Sequence, residues 1–537
     1  MPPHSAVFGH LLAAKEVTDE LPPAAHNVYV LRHLSTKVPN RSADDLDAYY
    51  FDPAPVNDPL LVVRDPYLAH QVTSHAEVGS LKPPVLADWF APITGRGGRN
   101  LFCSNGAEWK HNTSLFQGFF NNANLDAAVP AIMDQFRLYR DVLRSKAAST
   151  PGAMFHLEPM TLLLMNDVIG RLLLNMDLGN QKSGRTHPLS EVMLQQLNLK
   201  FSHKNGLDAL TNISFVARLR IWNNSRILNA HIRQQIDRQL AEYRQKRSSG
   251  TSLSSDGQQD EEEPFKSVLG QAVESFFAQH PAGIEAQPDA AFLEMLCAEI
   301  RMFFFAGYDS TVSAMIACVY TVWRHKDVLA KLRAEHDSVF GAFTTTTTSS
   351  DASIDRIAQD PNILNQLPYT LAVVKETMRL YPPASGLRPG SPNLVLTGRD
   401  GTRYPTAGVL IQLNHIDIQR NPRVWPRAQE FLPERFLVGP GHELYPEKGA
   451  FRPFEHGVRN CTGQALVLKE LKAFLVLVAR EFDFRNCYDE VYKGEKVNLE
   501  NVDGELPYLI DRGAAHMRGH LPTRIRLSGY ASGKTSS

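Results

Sequence analysis

The chain is 537 residues long, 43% hydrophobic and 21% charged, with 34 Gly and 34 Pro, which supports a sizeable buried core and excludes a fibrous or disordered protein. A formal net charge of -1 leaves no surplus of Lys and Arg for a general nucleic-acid binder. Five scattered cysteines (Cys103, Cys297, Cys318, Cys461 and Cys487) form no CxxC pair, which argues against a disulfide scaffold and fits a reducing compartment.

Taken in chain order, the opening MPPHSAVFGHLLAAKEV has neither the cationic segment nor the long apolar core of a signal peptide or membrane span. PLLVV at 59–63 predicts a short strand, and apolar periodicity predicts helices over 127–146, 157–176 and 214–246. Residues 247–263, Ser/Gly-rich and then acidic, predict a surface connection. A long helical stretch runs from 289 to about 338 and contains FFFAGYDSTVSA at 303–314. TTTTTSSD at 344–351 predicts a second loop insertion. A helix over 367–381 carries VVKETMRLYPP, whose proline pair ends it, and 392–413 holds short β-branched runs punctuated by turn residues. FLPERF follows at 431–436, and a last helix is predicted over 464–481. The whole reads as one mostly helical (α+β) domain with small sheets.

Before that last helix stands FRPFEHGVRNCTGQALVLKE, residues 451–470. Leu468, Leu471, Leu475 and Val478 recur at helical spacing, so Cys461 falls at or just before a helix N-terminus, where backbone N–H groups and the helix dipole favour a thiolate. Gly457 supplies a tight turn, Gly463 leaves room beside the first helical turn, Phe454 closes the loop and Arg459 could hold an anion. A thiolate, a flat space beside it and an anchoring Arg suit a haem with a cysteine axial ligand. A lone cysteine is, by itself, more often an inert buried hydrophobe.

With its neighbours, the segment resembles the F-x-x-G-x-R-x-C-x-G signature of the cytochrome P-450 family of haem-thiolate monooxygenases, matched at Phe454, Gly457, Arg459, Cys461 and Gly463. The resemblance extends in order along the chain. Glu376 and Arg379 resemble the family's E-x-x-R helix, and Arg435 the arginine that joins that pair in a structural network. AGYDST resembles the oxygen-activation segment; Asp309 and Ser310 match its acid and alcohol, with serine where threonine is usual, and Thr311 follows. Trp109 resembles a propionate-holding Trp, although Thr113 stands where a basic residue is usual, with Lys110 or His111 as partial replacements. Arg388 resembles a second propionate-binding position.

The resemblance implies a single large domain in which haem b, ligated through its iron by Cys461, lies between the central helix and the cysteine helix. It implies boundaries of 1–30 for a segment resembling a post-anchor hinge, 31–528 for the catalytic domain and 529–537 for a tail. It also implies a monomer that takes electrons from NADPH through a separate NADPH-cytochrome P-450 reductase, docked on the cysteine side near Lys110, Arg452 and Lys469. The expected activity is insertion of one atom of O2 into an apolar small molecule, by general likeness to fungal members in secondary metabolism. Phe303, Phe304, Phe305, the loop at 384–387 and the turn near 503–508 are expected around the substrate. The expected location is the cytosolic face of the endoplasmic reticulum with peripheral membrane contact, or the cytosol, since no anchor is seen. Two other readings keep the haem: an isomerase or dehydratase without O2 activation, and a non-catalytic haem-binding protein.

Overall fold

One helix, Ala290–Arg324, organises the rest of the molecule. Asp289 starts it by accepting the Phe292 N–H at 2.7 Å, and His325 separates it from the next helix, Lys326–Phe340, so the predicted stretch from 289 divides in two. It is apolar almost all round because helices cover it on most sides, among them Val85–Thr94, Leu157–Leu174, Pro368–Leu380 and Gln464–Ala479. By length and composition alone it could cross a membrane, but 78% of its apolar window is buried inside the protein. The computed structural model describes residues 1–201, 215–248, 265–343, 347–494, 502 and 504–530.

The other predicted helices form as Asn122–Ser149, Leu157–Leu174, Phe215–Ser248, Pro368–Leu380 and Gln464–Ala479. The sheets are small. Ala48–Phe51, Leu60–Val63, Leu410–Leu413 and Gly386–Pro389 lie side by side in that order, paired antiparallel, parallel and antiparallel. The stretch 392–413 therefore splits into the hairpin Val395–Thr397 with Arg403–Pro405 and one strand of this sheet. A three-stranded sheet joins Phe155–His156, Pro522–Leu527 and Phe482–Asn486, and a C-terminal hairpin pairs Leu509–Asp511 with Ala515–Met517.

Two segment boundaries are corrected. Residues 1–30 are not a hinge: helices Leu11–Glu20 and Asn27–Leu34 bury Ala13, Val17 and Val28, the Tyr508 hydroxyl donates to Pro23 O at 2.7 Å, and the His26 N–H donates to Leu509 O at 2.9 Å. Nor is all of 344–351 loop, because the helix Thr347–Gln359 runs through it. The helix is anchored by buried Ile354 and Ile357 and by Asp351, which accepts from Arg137 at 2.6 Å and Arg140 at 2.7 Å. The Thr/Ser run hid a helix whose apolar anchors come only after it. Positions 249–263, 344–346, 503 and 531–537, on which parts of the loop, turn and tail expectations fall, lie outside the described residues.

Candidate functional site

Backbone hydrogen bonds shape the cysteine loop. The Cys461 N–H donates to Phe454 O at 2.8 Å and the Asn460 N–H to Gly457 O at 3.1 Å, which folds 454–461 into a tight bend ahead of helix Gln464–Ala479. Gly457 has φ +85°, and a Cβ there would fall 2.6 Å from Thr73 O, so glycine is required on two grounds. Gly457→Ala is expected to destabilise the protein by roughly 1–3 kcal/mol, checked by a denaturant melt against wild type. Gly463 is different: the nearest atom to a Cβ there is Cys461 Sγ at 3.8 Å, so what its missing side chain leaves open is space beside the thiol.

Cys461 is the one exposed cysteine; the other four are buried. Its thiol is accessible although it sits deep in the molecule, and burial pushes its pKa up while the backbone N–H groups of Gly463 and Gln464 act in the opposite direction. The helix start favours the thiolate, as the sequence suggests, but does not outweigh desolvation without a cation beside the sulfur.

Buried cations gather beside this loop. Arg459 donates to four carbonyls, Ser80 and Ser104 at 2.9 and 3.0 Å and Leu101 and Phe102 at 3.2 and 2.9 Å, and stacks 4.7 Å over the Trp109 ring. It thereby fastens the 80–104 segment to the cysteine loop. Arg388, fully buried on strand Gly386–Pro389, spends Nη1 on Leu387 O at 3.0 Å; its Nε and Nη2 make no hydrogen bond, with Nη2 3.4 Å from Glu455 Oε2. Lys82, which the sequence reading missed, is buried 4.4 Å over the Phe102 ring. Desolvation, then Arg388 and Arg459, push its pKa well below the usual lysine range. Glu455 is the acid in this group, and it is shared with Arg452 at 2.9 Å and His415 at 3.6 Å. Buried cations with unmade hydrogen bonds and too little local counter-charge are costly alone and fit a dianionic ligand such as the two propionates of haem.

The opposite wall is the central helix. Ala306 is exposed and Ser310 partly so, on a helix where Phe305, Tyr308, Asp309 and Thr311 are buried. The Ser310 hydroxyl donates back to Ala306 O at 2.7 Å, and the buried Thr311 Oγ1 has no hydrogen-bond partner. Gly307 does not provide the space that Ala306 does: a Cβ there would meet Ile169 Cδ1 at 2.6 Å, so its bareness lets helix Leu157–Leu174 close on the central helix. Asp309 is held by the C-terminal hairpin, accepting from the Ala514 N–H at 2.7 Å and lying 3.1 Å from His516 Nε2. The three phenylalanines diverge. Phe303 packs on Phe116 and Phe120, Phe304 on Tyr308, and Phe305 on Phe90 and Phe201.

Farther from this space, Glu376, Arg379 and Arg435 meet with no solvent exposure. Arg379 binds Glu376 through two bonds of 2.7 Å and reaches Gln419 O, Ala428 O and Glu430 O at 2.8, 2.7 and 3.0 Å. Arg435 Nε reaches Glu376 Oε1 at 3.2 Å, and the Leu432 N–H reaches the same oxygen at 2.9 Å. Of the cations expected at a docking face, Lys110 is exposed, Lys469 is paired with Asp126 at 2.6 Å, and Arg452 is fully buried on Glu455, which removes it from any surface.

The sequence profile described as Cytochrome P450 matches residues 51–497. Cytochrome P450 monooxygenase polC of Polytolypa hystricis is 32% identical over 98% of this chain and 89% of its own length. Cytochrome P450 monooxygenase acrF of Aspergillus aculeatus is 28% identical over 85% of this chain and 88% of its own. The crystal structure of the cytochrome P450DA heme domain superposes with a TM-score of 0.68 at 16% identity, covering 98% of this chain and 97% of that one, a likeness of fold.

Proposed function

The chain belongs to the cytochrome P450 family and is a haem monooxygenase, an oxidoreductase, and from that premise we propose that it inserts one atom of O2 into an apolar small molecule in fungal secondary metabolism, with electrons from NADPH through a flavoprotein reductase. The observation that carries the reading is the accessible Cys461 beside Gly463, set against buried Lys82 and a buried Arg388 whose Nε and Nη2 make no hydrogen bond and whose one acid, Glu455, is shared with Arg452 and His415. Haem held there by the Cys461 sulfur would supply dioxygen activation.

The protein's own residues do the rest. Cys461 offers the sulfur, Arg388 and Lys82 hold carboxylates, and Arg459 with Trp109 keeps the flanking segment seated on the loop. Ala306 keeps a bare surface on the central helix. Ser310 and Thr311 carry the hydroxyls that hold a proton near it, with the Asp309 carboxylate adjoining, the acid–alcohol set that favours O2 chemistry over the isomerase alternative. Phe305, Phe90 and Phe201 make an aromatic wall suited to an apolar substrate. The cytosolic face of the endoplasmic reticulum is the location that fits such a reductase, and a monomer suffices for the chemistry.

The test is reconstitution with a fungal NADPH-dependent reductase under 18O2 and an apolar metabolite extract. Products carrying one labelled oxygen, with NADPH consumed, are expected; isomerised products without label or NADPH use would contradict the reading. In Ser310→Ala, a severalfold fall in product per NADPH with a matching rise in hydrogen peroxide is expected, and unchanged coupling would dismiss the hydroxyl's role.

A further inference from the structure

The C-terminal hairpin is fastened to the central helix at three points within one helical turn. Ser313 Oγ donates to Ala515 O at 2.5 Å, the Ala514 N–H donates to Asp309 Oδ2 at 2.7 Å, and His516 Nε2 lies 3.1 Å from Asp309 Oδ1. The turn between the strands closes on Gly513 at φ +117°, where a Cβ would fall 2.9 Å from both Asp309 Oδ2 and Phe305. Only glycine lets the hairpin sit this low on the helix.

On its far side the His516 ring meets a second acid. Nδ1 is 3.2 Å from Glu158 Oε1, in the first turn of helix Leu157–Leu174, and His520 Nδ1 lies at the same distance from that oxygen. Both the His516 and Glu158 side chains are at most 2% exposed. A neutral imidazole carries one N–H and can serve one carboxylate; the imidazolium serves both. Burial pushes the His516 pKa down, and Asp309 and Glu158 outweigh it, raising it to about 10. Burial likewise pushes the Glu158 carboxyl up, and His516 with His520 brings it well below the usual range.

We propose that His516 is a positioning residue for the reaction: its ring, held between Glu158 and Asp309, occupies the Asp309 carboxylate and fixes the hairpin against Phe305, leaving the Ser310 and Thr311 hydroxyls as the groups of that segment able to move protons. The catalytic consequence rests on the monooxygenase reading. The geometric core, a hairpin histidine set between acids on two helices, does not. A device that joins a wall of the aromatic space to the helix turn bearing the alcohol makes proton handling depend on whether that wall is seated.

The other titratable group facing the ring is His26 from the N-terminal turn, itself beside Asp511 on the hairpin, with His520, Arg512 and Tyr488 grouped around Glu158. Because the folded-state pKa is raised, the stabilisation is fully present below about 6.5, the unfolded value, and is lost as pH rises through about 10.

The test uses the full-length holoprotein with 13C-labelled histidine rings. One ring, absent from His516→Gln, is expected to stay in its charged form from about pH 6 to 9, and Glu158→Gln should move its titration to lower pH. A His516 ring that titrates near 6.5 in wild type would overturn the bridge. In reconstituted turnover, His516→Leu should release severalfold more peroxide per NADPH than wild type, with His516→Gln between them because glutamine restores one donor to Asp309. Wild-type coupling in both variants would overturn the positioning role. Absence of a thiolate signature in wild type would instead sink the monooxygenase reading, and the ring titration would still be readable.

Discussion

Cys461→Ala is expected to abolish haem-thiolate ligation and product formation while leaving the fold nearly intact. The loop around it is built from backbone bonds, the Cys461 N–H to Phe454 O and the Asn460 N–H to Gly457 O, and alanine keeps both. The side chains that fasten the loop, Arg459 on four carbonyls and Arg452 on Glu455, do not touch the sulfur. Removing the thiol breaks none of these bonds, so it should cost little stability. The measurement is paired: a denaturant melt of the haem-free protein within about 1 kcal/mol of wild type, and loss of the red-shifted spectrum on haem loading. A thiolate spectrum retained by the variant would show that another sulfur holds the iron.

Arg379→Ala should have the opposite profile, a collapse of folding with no direct hand in chemistry. Arg379 neutralises Glu376 through two buried bonds and closes the buried carbonyls of Gln419 and Ala428 and the partly buried one of Glu430. Removing it leaves Glu376 with Arg435 and the Leu432 N–H alone, together with two buried carbonyls that lose this donor. Breaking a buried ion pair on one side costs about 3–5 kcal/mol, a large share of the roughly 5–15 kcal/mol that holds a domain folded. Arg379→Lys should recover only part, since an ammonium cannot make the paired fork. Soluble yield and haem content per chain are the readouts, and an alanine variant within about 1 kcal/mol of wild type would contradict the structural role.

Much of this was legible in the sequence because it is local. Phe454, Gly457, Arg459, Cys461 and Gly463 lie within ten residues, Glu376 and Arg379 share one helical turn, and helical periodicity marks Leu157–Leu174, Phe215–Ser248, Pro368–Leu380 and Gln464–Ala479 within two residues of their observed bounds. What escaped is long-range or compositionally disguised. Lys82 meets the cysteine loop from nearly 380 residues upstream. His516 and Glu158 stand more than 350 residues apart, and no spacing rule brings them to Asp309. Gly307 stands inside the AGYDST segment, and only the structure shows that its bareness serves packing against Ile169. Arg452 looks like a surface cation by residue type, yet its fate was set by Glu455 three residues on. The Thr/Ser run at 344–351 has the composition of a loop, and the isoleucines that anchor its helix, Ile354 and Ile357, come only after it.

The measurement that bears most directly on the central claim is the absorption difference spectrum of the reduced holoprotein with and without carbon monoxide. A Soret band shifted strongly to the red, as a thiolate-ligated iron gives, is the predicted result and would place Cys461 on the metal once compared with Cys461→Ala. A Soret band at the position of histidine-ligated haem in freshly purified, correctly folded protein would contradict it.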